Sequence, residues 1–491
     1  MSAQRSLLAE VQSLATATFE AYRGSEHEPE IQAVIDRLRE PLRVAIAGRV
    51  KAGKSTLLNA LVGQELAATD AGEMTRVVTW YRDGIAYQAT LFPKEGAPLQ
   101  VPMSSNGGPV GADLQGFRAE EVDRIIVDWP SASLKEMTLI DTPGIASLTA
   151  EASQRTHDFL TPGEDQPTAA DAVLYLMRHV HSSDIHFLEA FHDEEVSQAT
   201  PINAIGVLSR ADEIGVGRLD SMTSASRIAQ RYRTEPRLRR LCQTVIPVAA
   251  LIAQTGATLR EDEFQALAKM AAAPKEVVGP LLISADRFVR ADDAIGVDED
   301  TRTRLLRRLG LFGVRVSLAL LQQRAVAKAS DLSEQLVRRS GLMELRRAVV
   351  TQLASRRDAL KSRSALLAIE RLLHRAPGAG ADRLASELER VYAGAHAFAE
   401  LRLMNALRAG GLKLTEQEAA QAERLLGAEG GEPATRLGLA PDASPQDLRM
   451  AAGTAIARWQ QRAESPMSDR NVVEAARVLV RSCEGILAGL S

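Results

Sequence analysis

The chain has 491 residues, 45% of them hydrophobic and 25% charged, with a formal net charge of −4 and a pI near 6.2. That length supports roughly two to four domains with substantial cores, and the acidic balance excludes a dominant basic surface of the kind that holds nucleic acid. Cys242 and Cys483 stand far apart in no metal-ligand or redox spacing, so two buried free thiols in a reducing compartment are expected.

In chain order, residues 1–40 read as helices. Leu7, Leu8, Val11, Leu14 and Phe19 follow an amphipathic spacing, and EIQAVIDRLREPL ends at Pro41. The N-terminus lacks a signal-peptide h-region, and no run approaches the ~18 apolar residues of a membrane span. The expected location is the cytoplasm, with any membrane contact peripheral, at the inner face of the plasma membrane. From residue 42 to about 255, the apolar runs RVAIAG, VVTWYR, EMTLIDTPG, AVLYLM, INAIGVLSR and TVIPVAA alternate with helical segments. That alternation predicts an α/β domain with a mainly parallel sheet. Beyond residue 256 the pattern turns to long Leu/Ala/Arg-rich helices, among them TRLLRRLGLFGVRVSLALLQQRA and SGLMELRRAVVTQLASRRDALKSRSALLAIERLLHR, with a turn at APGAGA. The organisation expected is a helical segment at 1–40, a nucleotide-binding domain at 41–328 and a helical domain at 329–491.

The chemistry starts at GRVKAGKST. Gly48, Gly53, Lys54 and Ser55 satisfy G-x-x-x-x-G-K-[ST] between a strand-like and a helix-like run, the context that gives this motif its meaning. The glycines let backbone N–H groups turn inward around phosphate oxygens, and the N-terminus of the following helix, with Thr56 in its first turn, adds a favourable dipole. Lys54 neutralises β/γ charge, and Ser55 is the expected Mg²⁺ ligand. Downstream, LIDTPG ends a strand at Asp141, placed to hold the Mg²⁺ shell through water, and the Gly144 N–H is placed for a γ-phosphate. Thr75, in ATDAGEMTRVV, is the candidate for Mg²⁺ and γ-phosphate in a first switch segment.

Base choice is read from LSRAD. Asp212 lies where [NT]-K-x-D carries its carboxylate, which accepts two hydrogen bonds from guanine N1–H and N2–H₂; adenine offers no such pair. Ser209 and Arg210 depart from that pattern, but the Arg210 guanidinium can stack on a base face. The strand TVIPVAA offers the amide of Ala249 or Ala250 to guanine O6.

GRVKAGKSTLLNALVG, DAGEMT, LIDTPG, LSRADE and VIPVAAL, enclosed by helices on both sides, resemble the bacterial dynamin-like GTPases. The resemblance in motifs covers about residues 40–330. It implies a P-loop GTPase domain flanked by an N- and C-terminal helical stalk, which binds and hydrolyses GTP with Mg²⁺. It also implies GTP-dependent association through GTPase domains, work at membranes and, for a chain lacking an obvious hydrophobic insertion loop, a longer dynamin-like paralogue as partner. The alternatives are a translation- or ribosome-linked GTPase, for which the acidic balance is unfavourable, and a GTP-binding scaffold with little turnover.

Two features remain. His179, His181 and His186 cluster without convincing ligand spacing, so a loop or helix surface is the simpler reading. Lysine is scarce, nine of 59 basic residues, yet two lie in the phosphate loop. Ile145 stands where Ras-like enzymes carry a water-orienting glutamine, so a charge must come from elsewhere. Lys51 is the candidate internal finger, with a monovalent cation as the alternative source.

Overall fold

An uninterrupted apolar run such as VAIAG is stable as a strand only where both faces are covered, and this one lies inside the sheet, covered by helices. The computed structural model describes residues 6–67, 77–102, 114–143, 170–178, 184–185, 188, 203–290, 295–378, 380–408 and 410–490. Among them are nine strands: β1 Leu42–Gly48, β2 Val78–Arg82, β3 Gln88–Pro93, β4 Leu99–Val101, β5 Val122–Asp128, β6 Met137–Asp141, β7 Ala172–Met177, β8 Ala204–Ser209 and β9 Val245–Val248. They form one sheet in the order β4-β3-β5-β2-β6-β1-β7-β8-β9. β1 pairs in parallel with β6 and β7, β2 with β5, β7 with β8 and β8 with β9. Only β2/β6, β3/β4 and β3/β5 are antiparallel among the described residues. The expected α/β class with a mainly parallel sheet is the one observed.

The strand order locates the site. From β1 the chain builds one half of the sheet, returns to β1 as β6, and then crosses to its other side as β7. The crevice at the carboxyl ends of β1, β6 and β7 is the topological switch point where open α/β sheets take ligands.

Helices cover the rest. Ala250–Ala257, Glu261–Ala272, Lys275–Leu281, Ala285–Val289 and Glu299–Gln322 enclose a core of Phe264, Leu267, Met270, Phe288, Leu305 and Phe312. After Ala329–Arg339, the helix Leu342–Ala348 passes through a π turn, Val349–Leu353, and a 3₁₀ turn, Ala354–Arg356, into Arg357–Arg375. The chain returns as Ala381–Gly394 and His396–Arg408, where Phe398, Leu401 and Met404 are buried as a packing stripe. The N-terminal helices Leu7–Ala21 and Glu28–Arg39 pack on Arg357–Arg375, the first of them also on Ala381–Gly394, and the Tyr22 hydroxyl donates to the Ala376 carbonyl at 2.6 Å. A last core, around Trp459, closes Glu416–Leu425, Pro445–Glu464 and Arg470–Ala488. Among the described residues no helix is long and apolar enough to cross a membrane.

At the amino ends of β1 and β7, buried Asp171 joins three parts of the chain. Its carboxylate accepts from Arg37 Nη2 at 2.8 Å and from the Arg43 amide at 2.9 Å, with Ser364 Oγ at 3.4 Å. Beside it, buried Lys361 donates to the carbonyls of Leu38 and Glu40, and Arg357 donates to Glu40 at 3.0 Å. Desolvation pulls the Lys361 ammonium down to about 8, against the opposing pull of Asp171. Removing one member of a buried charge network costs about 3–5 kcal/mol. Asp171→Ala is therefore expected to lower the unfolding free energy measured by urea titration by about 3 kcal/mol while leaving nucleotide affinity within about twofold.

Candidate nucleotide-binding site

β1 delivers the chain into a loop that tolerates little bulk. A Cβ on Gly48, at φ 147°, would lie 2.5 Å from the Leu176 carbonyl oxygen of β7. Lys51 and Gly53 also take positive φ, 61° and 93°, and Gly53 caps the helix Lys54–Val62. Each of these backbone angles turns the loop around the space in front of that helix's N-terminus, the geometry in which amide groups collect an anion.

The side chains converge on the same space. Ser55 Oγ donates to Asp141 Oδ2 at 2.7 Å, and Lys54 Nζ donates to the Gly48 carbonyl at 3.4 Å. Burial pushes the Asp141 carboxyl up, offset by the Lys54 charge and the Ser55 hydrogen bond, while desolvation pulls the Lys54 ammonium down against the attraction of Asp141. Asp141 Oδ1 is buried with no hydrogen-bond partner among the described residues. A hydroxyl and an underused carboxylate side by side at the phosphate loop fit a hard divalent cation such as Mg²⁺. Thr142 ties the turn after β6 to β1 through its hydroxyl and the Ile46 carbonyl, 2.9 Å apart. Thr56 lies in the first turn of the helix; Thr75, Gly144, His179, His181 and His186 lie outside the described residues.

The base-reading candidates stand at the ends of β8 and β9. Ser209 Oγ donates to the Met177 carbonyl at 3.3 Å, holding the ends of β7 and β8 together. Arg210, at φ 51°, turns the chain so that Asp212 is buried, and the Arg210 guanidinium pairs with Glu213 at 2.6 Å, Arg178 holding the other oxygen of the same carboxylate. Burial pushes the Asp212 carboxyl up to about 6, with Glu213 adding to the rise and Arg210 opposing it.

One expectation needs correction. The Ala249 amide does not face a base: it donates to the Ser340 carbonyl at 2.8 Å, because the chain between two C-terminal helices runs along the edge of β9. Gly341 makes that approach possible, since a Cβ there would lie 2.1 Å from the Pro247 carbonyl oxygen. Ala250, the first residue of its helix, where amides have no intrahelical acceptor, is the remaining candidate of the two.

Sequence reasoning missed two residues behind the phosphate loop. Asn59, buried in the phosphate-loop helix, accepts from the amides of Leu66 and Ala67 at 2.9 and 2.7 Å and donates to the Ala67 carbonyl at 3.0 Å. Arg346 caps the other end of that helix, donating to the Ala60 and Leu61 carbonyls at 3.1 and 2.9 Å. The asparagine three residues before Val62, with Gly63 next, was a visible clue to a helix end. Nothing local marks Arg346, whose partners lie more than 280 residues away.

Over 488 residues, 98% of either chain, the sequence is 39% identical to isoniazid-induced protein IniC of Mycobacterium tuberculosis. The chain belongs to the IniC family. The model of the 50S ribosome-binding GTPase family matches residues 43–205, and the tRNA modification GTPase MnmE of Pectobacterium carotovorum is 32% identical over 149 residues, 29% of this chain and 27% of that one. A more distant likeness, 13% identical at TM-score 0.35, covers 99% of this chain and 80% of a chain from a solved oligomerised bacterial dynamin pair.

Two outcomes test the base site. Asp212→Asn is expected to weaken GTP far more than xanthosine triphosphate in calorimetry, because the amide suits the altered base edge. In the parent, the free carboxyl takes up a proton as pH falls through about 6, and the neutral acid has lost an acceptor. GDP affinity should therefore be flat above that pH and fall below it, and Asp212→Asn should abolish the slope.

Proposed function

We propose that this IniC-family chain hydrolyses GTP with Mg²⁺ and couples that reaction to association through its GTPase face, in membrane-linked remodelling or maintenance beside a longer dynamin-like paralogue. The observation that carries the nucleotide reading is the Ser55–Asp141 pair next to Lys54 on the same sheet edge as buried Asp212. One edge thus offers a phosphate cradle, a cation site and a base carboxylate.

In this reading Mg²⁺, when bound, would supply charge neutralisation for the triphosphate. The amides following Gly48 and Gly53 hold phosphate oxygens, Lys54 pairs with the β/γ charge, and Ser55, Asp141 and Thr75 hold the cation. The Gly144 amide and Thr75 carbonyl orient the γ-phosphate and attacking water, while Asp212, Arg210 and Ala250 hold guanine. Lys51 supplies the remaining charge. It is exposed at positive φ, a conformation that costs a side-chain residue of order 1 kcal/mol, and among the described residues it has no hydrogen-bond or ion-pair partner. The free ammonium supports a role toward a ligand.

Association is supported by an apolar surface beside the base site. Val216 is 79% exposed, held at φ 61° between Gly215 and Gly217, and Leu219 and Ile283 are 59% and 58% exposed. A β-branched residue at positive φ is a backbone outlier, and an exposed one presents its methyl groups to a partner. Helices 1–40 and 329–491 serve as the stalk.

Phosphate release measured against protein concentration, with and without liposomes, tests the whole reading. The specific rate is expected to rise with both. A rate indifferent to both, together with co-sedimentation on ribosomal RNA, would favour the ribosome-linked reading that the description of the matched family model suggests. Absence of phosphate release would leave a scaffold. For the finger, Lys51→Ala should bind GTP nearly normally and hydrolyse it ~10³-fold more slowly, and the parent should be equally active in potassium and choline. A parent that stalls in choline assigns the charge to a monovalent cation instead.

A further inference from the structure

The helix Glu299–Gln322 is broken at Gly310, which takes φ 63° and ψ 173°. That region of backbone space is essentially open to glycine alone, so the break is written into the sequence at one residue. Its location is specific. A Cβ built on Gly310 would stand 3.5 Å from Leu251 Cδ2 and 3.8 Å from Asp212 Oδ2. Leu251 follows Ala250, the O6 candidate, and Asp212 is the guanine carboxylate. Gly310 thus lies between the two loops assigned to the base.

The residues around the break fasten it to both loops. Thr255, from the helix that Ala250 opens, donates to the Arg308 carbonyl two residues before the break. Beyond it, Arg315 Nη1 donates to the carbonyls of Val216 and Gly217 at 2.9 and 2.6 Å, and Arg315 Nε to that of Leu282 at 3.0 Å. A side chain on Gly217 would meet the Phe312 backbone nitrogen at 3.4 Å and the Asp212 carbonyl oxygen at 3.5 Å, so the segment 212–217 lies directly on the second half of the broken helix. Arg308 reaches the other way, pairing with Glu65 beyond the phosphate-loop helix and with buried Glu263 at 2.7 Å.

We infer that the broken helix is the outer wall of the guanine pocket, and that Gly310 and Arg315 are positioning residues that fix Asp212 for base selectivity. An unbroken helix would carry Phe312 and Arg315 away from residues 212–217 and release the loop that holds the carboxylate. The inference rests on Asp212 as the guanine acceptor.

The test is calorimetry of GDP, IDP and ADP on the full chain. Inosine keeps N1–H but lacks the 2-amino group, so the GDP-to-IDP ratio reads how well the carboxylate is placed. Gly310→Ala and Arg315→Gln should each weaken GDP by about tenfold and bring the ratio toward one, with Arg315→Lys restoring part of it. Arg304→Gln, a change on the broken helix that loses an exposed pair with Asp262, should keep the parent ratio. Folded Gly310→Ala or Arg315→Gln protein with the parent ratio would overturn the inference; if Gly310→Ala does not fold, Arg315→Gln decides. A parent that binds ADP as well as GDP would instead overturn the guanine reading.

Discussion

The whole arrangement depends on how closely β1 approaches β7 at Gly48, where a methyl group would lie 2.5 Å from the Leu176 carbonyl oxygen. β1 must hold β6 on one side and β7 on the other, and its carboxyl end must still open into an anion-holding loop. Only a residue without a side chain meets both demands. From this contact follow the crevice at the switch point, the convergence of Lys54, Ser55 and Asp141, and the placing of Asp212 two strands away.

Arginine does much of the joining elsewhere. Of the 59 basic residues nine are lysine, leaving 50 arginines, and several of these end on main-chain carbonyls. Arg346 caps the phosphate-loop helix, Arg356 donates to Leu426 and Gly427 at 2.8 and 3.0 Å, Arg233 donates to Val245 at 2.8 Å, and Arg315 joins two loops. A guanidinium has five donors in a rigid fork and stays charged when half-buried. It can therefore satisfy the unpaired carbonyls at helix ends where elements meet. Burial pulls Arg356 down to about 10, which still leaves it protonated near neutrality. The chemical preference visible in the composition is thus a structural one.

The parallel centre of the sheet was legible because buried parallel strands read as unbroken apolar runs, and the six runs picked out became β1, β2, β6, β7, β8 and β9. β3, β4 and β5 were not picked out. β5 reads VDRIIVD, and its charged residues at Asp123, Arg124 and Asp128 break the run because this flank of the sheet is less completely covered. The phosphate-loop and base motifs were legible because their chemistry is local. What the sequence could not show was contact across long separations, such as the Ser340 carbonyl on the Ala249 amide, or a break inside a good helical pattern. Gly310 in RRLGLFG reads as a tolerated helical glycine, and only the neighbouring loops reveal its conformation.

The π turn Val349–Leu353 begins three residues after Arg346, and the 3₁₀ turn after it ends at Arg356. One arginine grips the phosphate-loop helix and the other the end of Glu416–Leu425. A π turn holds one residue more than an α turn, and each residue of an α-helix advances the azimuth by about 100°. The surplus residue therefore sets the azimuth of Arg357–Arg375, by roughly 100° for one residue, and it is that phase which turns Arg357, Lys361 and Ser364 toward Leu38, Glu40 and Asp171.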